Sequence, residues 1–267
     1  MHKMECKKRA AELHDEALFK QSQPREDCDV CMIPLPLSPT ETSYQACCGK
    51  TICLGCMHGV YKGDERCICP FCRSPAYSTE REQIKRLKKR AEGGDGAAMH
   101  NLGCIYNGGD LGLPQDTKKA MELWLRAGEL GRIWPYYKLG IHYYSGEGVE
   151  RDVKKAKHFW EIGAMRGDAE ARHSMGVLEN NAGNAVRAAK HWMISAQAGH
   201  DGSLTAIREY FLKGFVTKDD FEKALRAHKE SKDMMKSEQR EAAATWSKRN
   251  ATCFLPDSGA SPGGRFY

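Results

Sequence analysis

The chain has 267 residues and a formal net charge of +6, a length that fits one or two domains and a charge that permits acidic partners without demanding them. No apolar run approaches the roughly 18 residues of a membrane span, which argues against a transmembrane protein. The first twenty residues are charged throughout and lack the apolar core of a secretory signal, so the twelve cysteines are expected as thiols in a reducing compartment, cytoplasmic or nuclear, rather than as disulfides.

Residues 1–26 form an N-terminal helix and linker. Leu13, Ala17 and Leu18 fall on one face of a helix over residues 3–20. A helix this short needs a surface to dock on, or it frays.

Residues 27–76 carry nine of the cysteines: Cys28, Cys31, Cys47, Cys48, Cys53, Cys56, Cys67, Cys69 and Cys72. Cys28/Cys31, Cys53/Cys56 and Cys69/Cys72 have C-x2-C spacing, which lets two thiolates on one tight turn bind the same tetrahedral Zn²⁺. Cys47/Cys48 supply a fourth pair, and four pairs suffice for two structural zinc sites. His58 and Cys67 are the spare candidates for the second site; His58 is read first as a surface residue on the helix after Cys56, and Cys67 as a free thiol. Pro34, Pro36 and Pro39 exclude a long helix between the first two pairs. A stretch this small cannot bury a sufficient core by itself, so metal binding is its expected main folding term.

Thr79-x-x-Glu82 is a capping-box start for a linking helix in residues 77–92, running through Arg90. Its charges, Arg81, Lys85, Arg86, Lys88, Lys89 and Arg90, read as a solvated face joining two domains. No aromatic residue interleaves with them to stack on bases, so a nucleic-acid partner is not expected.

Residues 93–244 repeat. Leu102-Gly103, Leu139-Gly140 and Met175-Gly176 recur at intervals of 37 and 36. Asp116, Asp152, Asn184 and Asp220 each stand four residues before an alanine: Ala120, Ala156, Ala188 and Ala224. Trp124, Trp160, Trp192 and His228 follow at the next helical turn, and Gly131, Gly167 and Gly199 close the first three units. A fixed period with the same residue types in phase marks a solenoid of paired helices. The Asp and Asn residues are expected as N-caps, the alanines and tryptophans as core, and the closing glycines as left-handed C-caps. Cys104 is a small packing residue in this reading. The fourth unit diverges at Arg208 and His228 and reads as a polar terminal cap. Residues 245–267, rich in Ser, Gly and Pro, are expected as a disordered tail.

The cysteine stretch resembles a RING finger in its pair order, its C-G-x-x-I-C centre and its C-P-x-C-R ending. The resemblance implies a small α+β module with a cross-brace. Cys28, Cys31, Cys53 and Cys56 would hold one zinc, and Cys47, Cys48, Cys69 and Cys72 the other. One departure is Lys50, which stands where the family commonly has a histidine ligand. The repeats are similar to Sel-one-like repeats, relatives of tetratricopeptide repeats; L-G-x2-Y-x2-G-x-G-V-x2-D-x2-K-A-x3-W is nearly complete in residues 139–160. Together the resemblances imply a zinc-stabilised RING finger followed by an all-α solenoid.

No nucleophile elbow, P-loop or H-E-x-x-H motif is visible. A four-thiolate zinc site has no open position for water and is structural. The RING resemblance implies a ubiquitin ligase without a covalent intermediate, which docks a ubiquitin-conjugating enzyme through Val30, Val60, Pro70 and Arg73. The solenoid would recruit an unknown protein substrate. The alternative is a non-enzymatic, zinc-stabilised scaffold, which fits the same structural residues.

Overall fold

The computed structural model describes residues 2–20, 26–62, 68–75 and 79–249; Cys67 and the tail from 250 onward lie outside them. In chain order the elements are α1 (His2–Leu18), a hairpin of β1 (Thr42–Gln45) and β2 (Lys50–Cys53), α2 (Leu54–Lys62) and α3 (Glu80–Glu92). Four antiparallel helix pairs follow: α4 (Gly96–Gly108) with α5 (Thr117–Glu129), α6 (Trp134–Ser145) with α7 (Val153–Met165), α8 (Ala169–Asn181) with α9 (Ala185–Gln197), and α10 (Asp201–Leu212) with α11 (Lys218–Met234). The last helix is α12 (Glu238–Arg249). No helix among the described residues is long and apolar enough to cross a membrane.

These elements divide into two compact units. One joins Met1–Arg25 to Tyr136–Asp233, and the other joins Glu26–Pro135 to the chain from Met234 onward. The division thus runs near the start of α6, close to the junction of the first and second helix pairs.

In the unit built on residues 26–135, the hairpin pairs Thr42 with Cys53 and Gln45 with Lys50. Its turn, residues 46–49, holds two cysteines and closes on Gly49, whose φ of 81° is a conformation that glycine adopts without a steric penalty. The apolar core of the module is five residues, Cys28, Leu35, Ile52, Cys53 and Cys56. Three of the five are thiols, too little apolar surface to hold the module closed unaided. The linking helix α3 starts where its capping box predicts, with Thr79 Oγ1 accepting from the Glu82 N–H at 3.3 Å. It buries Ile84, Leu87 and Ala91 and packs on α4. It is therefore an amphipathic docking element and not only a solvated connector.

The helix pairs are held by one recurring contact. Trp124, Trp160 and Trp192 are nearly fully buried, and each indole N–H donates to a carbonyl of the preceding helix: His100 O at 3.3 Å, Tyr137 O at 3.2 Å and His173 O at 3.2 Å. Each acceptor lies three residues before the glycine of its repeat, so the indole edge lies over that glycine. A Cβ on Gly103 would stand 2.6 Å from the Trp124 Nε1, and Gly140 and Gly176 are covered at least as closely. This contact explains the glycine of each of these units. The four phase-matched alanines are also fully buried, so both small residues admit the neighbouring helix.

The capping pattern holds in part. Asp116 and Asp152 accept N–H bonds at the starts of α5 and α7, and Gly131, Gly167 and Gly199 all have left-handed φ. Asn184 makes no side-chain cap. Its Nδ2 instead donates to Glu179 Oε2 at 2.8 Å, because Glu179 replaces the expected tyrosine and its buried carboxylate needs donors. Asp220 lies inside α11. There Thr217 caps, accepting from the Asp220 N–H at 3.2 Å. His228, in the tryptophan position, pairs with Asp201 at 2.9 Å. The chain after the fourth pair also departs from expectation: it is helical to Arg249, four residues beyond Thr245, because α12 has a surface to pack on, the face of α2.

Two expectations follow. Gly140→Ala should lower the unfolding free energy by about 1–3 kcal/mol, the cost of forcing a methyl into a filled core. A urea titration followed by helical circular dichroism reads this, and an unchanged midpoint would mean that the indole is not seated on the glycine. Asp168 caps α8 through Oδ1, but its Oδ2 is buried without a hydrogen-bond partner, and burial pushes the carboxyl up to about 7. With the folded value above the unfolded one, its contribution is present below about pH 4 and is lost as pH rises towards 7. Asp168→Asn, which keeps the capping oxygen, should flatten that part of the stability profile; a slope unchanged from wild type would refute the assignment.

Candidate metal centres

Two of the C-x2-C pairs stand on matching backbone turns. The Met32 N–H donates to Cys28 O and the Arg73 N–H to Cys69 O, each at 2.9 Å. The Cys28 N–H donates to Ile33 O at 2.9 Å and the Cys69 N–H to Ser74 O at 2.8 Å. Both turns end on a left-handed residue that is not glycine, Met32 (φ 56°) and Arg73 (φ 57°). Such a conformation is strained for an ordinary side chain and persists where the surroundings over-determine it. The third pair opens α2, where the Cys56 N–H points at the Cys53 sulfur at 3.4 Å. Cys47 and Cys48 sit on the hairpin turn, closed by the Cys48 and Gly49 N–H groups donating to Gln45 O.

These four pairs converge in two groups. Cys28, Cys31, Cys53 and Cys56 offer four sulfurs within 4.8 Å of one another, and so do Cys47, Cys48, Cys69 and Cys72. The first pair meets the third and the second meets the fourth, so the groups interleave along the chain. Cys31 and Cys53 sulfurs are 3.9 Å apart and those of Cys48 and Cys69 3.7 Å. A disulfide needs about 2.05 Å. Tetrahedral bonds of about 2.3 Å to one zinc place sulfurs about 3.8 Å apart. The donor sets therefore fit a tetrahedral, thiolate-loving cation.

The electrostatics of each tetrad favour the same occupant. Burial opposes ionisation of Cys28, but backbone N–H groups of Cys31, Cys53 and Val30 outweigh it and bring the thiol down to about 7. A hydrogen bond from Ser74 holds exposed Cys72 at about 6. Burial and neighbouring thiolates push Cys56 and Cys47 the other way, far above the ordinary thiol value. One sulfur in each group ionises readily and suppresses its neighbours. A divalent cation removes that repulsion and allows all four to ionise.

Two arginines brace the tetrads, and neither stands out in the sequence. Arg240 of α12 donates to Pro34 O at 2.9 Å and Ile33 O at 3.2 Å, with its guanidinium 3.7 Å from the Cys31 sulfur. A Cβ on Gly55 would stand 2.8 Å from the Arg240 backbone nitrogen, so glycine at 55 is what lets α12 lie on α2. Arg90 of α3 donates to Ala46 O at 2.9 Å and Cys47 O at 3.3 Å beside the second tetrad. It also pairs with Asp95, which accepts from the Tyr44 hydroxyl at 2.6 Å. The basic run in α3 is therefore not uniformly solvated.

The remaining named residues lie around the tetrads. Lys50 pairs with Asp29 at 3.5 Å. His58 is half-buried on α2 and in neither tetrad. Val30 is 44% exposed on the first turn, and Arg73 is exposed after the last cysteine. Pro70 and Val60 are half-buried. Met32 and Phe71 add exposed apolar side chains to the same two turns. Their signal in the sequence is their position inside or just after a C-x2-C pair.

Comparison with known proteins bears on the helical part. Residues 96–131 and 136–168 match the Sel1 repeat family. Over 100 residues the chain is 34% identical to a protein of Arabidopsis thaliana described as an ERAD-associated E3 ubiquitin-protein ligase component, HRD3B. That match covers 37% of this chain and 15% of the relative. Among solved structures, a Sel1 repeat protein from Oxalobacter formigenes superimposes with a TM-score of 0.53 at 24% identity, over 67% of this chain and 70% of the other. The protective antigen c5321 of uropathogenic Escherichia coli gives 0.51 at 20% identity, over 73% of this chain and 44% of the other. At these identities the structural likeness shows the fold, an all-helical Sel1-type repeat array.

Titrated with zinc, the metal-free protein should take up two ions by native mass spectrometry. Cys48→Ser should take up one, and His58→Ala two. Two ions on Cys48→Ser would place the fourth ligand elsewhere.

Proposed function

We propose that residues 27–76 form a RING-type module holding two Zn²⁺ ions, that it acts as a ubiquitin ligase, and that the Sel1-type repeats recruit the protein to be modified. The observation that supports this reading most is the interleaving of the two cysteine tetrads, the pairing that a cross-brace requires. Bound zinc would supply rigidity and no reaction chemistry, since four protein thiolates leave no open coordination position.

The chain's own residues then act by position. Val30 on one turn and Pro70 on the other, with Val60 on α2, offer a small apolar seat for a ubiquitin-charged conjugating enzyme. Arg73 stands exposed directly after the last ligand, with a rigid five-donor guanidinium suited to bridging two partners at once. Holding the charged enzyme in one geometry is catalysis by proximity and orientation, with no covalent step on this chain. The relative's description as a ubiquitin-ligase component agrees with a place in this chemistry. Thiols that must stay reduced suit a cytoplasmic or nuclear setting.

Single-turnover discharge of ubiquitin from a panel of conjugating enzymes to free lysine tests the reading. The wild-type chain should accelerate it. Val30→Ala should weaken enzyme docking by about 1–2 kcal/mol, as removal of two methyl groups from a buried contact does. Arg73→Ala should leave docking nearly unchanged and slow discharge. Acceleration with no conjugating enzyme would leave a zinc-stabilised scaffold as the function, and a silent Arg73→Ala would remove the bridging role from that residue.

A further inference from the structure

The N-terminal helix is attached in an unusual way. Upstream of Leu18, every described side chain of α1 is exposed except that of Asp15. Leu13 and Ala17, which share a face with Leu18 in the helical pattern, are exposed too. A helix that served as a strut would bury a stripe along its length. Among the described residues its buried contacts are confined to its C-terminal end, flanked by an ion pair of exposed His14 with Glu161 of α7 at 4.0 Å, within the unit that contains α7, α8 and α9.

That turn meets a built site. Leu18 is fully buried, and its carbonyl, the orphaned C-terminal acceptor of α1, receives Arg172 Nη1 at 2.5 Å. Arg172 on α8 is 1% exposed, and its other donor goes to Ala164 O, near the end of α7. A buried guanidinium is thus aimed at two helix C-termini, the ends that carry partial negative charge. Phe19 lies on His191 with ring centroids 4.7 Å apart, beneath the cations of Arg187 and Lys190 at 5.1 and 5.3 Å. His191 is wholly buried, and neither ring nitrogen has a hydrogen-bond partner. Asp15, one turn back, pairs with Arg187 at 2.6 Å. Each element reads a different feature: an acidic group, a leucine, a helix-terminal carbonyl and an aromatic ring, in the order Asp-x-x-Leu-Phe.

We propose that this surface of α7, α8 and α9 is a receptor for a helix C-terminus of the form Asp-x-x-Leu-Phe on a partner protein, and that residues 15–19 occupy it as an internal ligand. The inference rests on the reading of the repeats as a recruitment surface and names the class of segment recruited. Tethering gives the internal copy an effective concentration on the order of millimolar. A partner segment that offers the same features can compete for the site.

The test uses the full chain and a fluorescent peptide of residues 8–20, amidated at its end, read by anisotropy without any ubiquitin component. Failure here is therefore separate from failure of ligase activity. Leu18→Asp should empty the site, and this variant should bind the peptide roughly ten-fold or more tighter than wild type, which competes with itself. A peptide carrying its own Leu18→Asp should not bind. In the wild-type chain, excess peptide should speed hydrogen exchange of residues 15–19, a readout that stands if the variant misfolds. Equal binding by wild type and variant, equal binding of both peptides, or exchange that does not respond would overturn the proposal. A wild-type dimer that Leu18→Asp dissolves, with no peptide binding, would make the occupant a second copy of this chain and overturn the partner reading.

Discussion

Four sulfur atoms within 4.8 Å of one another cannot all carry charge unless something positive stands among them. This repulsion is the constraint on which the cysteine module depends. Its five-residue core supplies little apolar burial, so the backbone must hold the sulfurs together by other means. Two turns do so at the cost of left-handed Met32 and Arg73, a hairpin does so through Gly49, and α2 does so through its first N–H groups. Arg90 and Arg240 then tie the loops beside each tetrad to helices from elsewhere in the chain. The module is braced from outside because it has almost no inside.

The helical pairs solve the opposite problem. They have ample apolar surface and need register. The indole–glycine contact provides it, since the flat edge of Trp124, Trp160 or Trp192 fits only where a Cβ is missing and its N–H must find one particular carbonyl. Apolar burial supplies the energy, and a buried donor that has to be satisfied selects the alignment.

Much of this was legible in the sequence. C-x2-C spacing marks three of the four thiol pairs, because a ligand pair is a local device, while the division of the pairs into two interleaved sets was implied by the resemblance to a RING finger. The repeat phase locates the helix pairs because every unit faces the same packing demand. The first two misses are local exchanges of one polar partner for another, and the others are non-local. Nothing near Asn184 shows that Glu179 will take its amide. Asp220 looks like a cap until Thr217 is seen in position to do the same work. Arg90 sits in a charged run where any residue could be the solvated one. Arg240 follows the last repeat, with no period to mark it. Leu18 was read with Leu13 and Ala17 as a stripe, whereas only the end of the helix docks. A side chain whose partner is a distant carbonyl leaves no trace in local pattern.

The brace on the first tetrad also has a consequence in time. Arg240 and Cys31 are 209 positions apart, and the chain is made from its N-terminus at about 5–20 residues per second. All eight cysteines of the tetrads leave the ribosome well before α12 exists. The cysteine module therefore emerges with its α2 face still bare, and the last helix closes over it afterwards. Contacts of such long range are slow to make, because the loop they close is long. During that interval Gly55 and its neighbours are open to the surroundings, and a chain truncated before residue 238 would stay in that state.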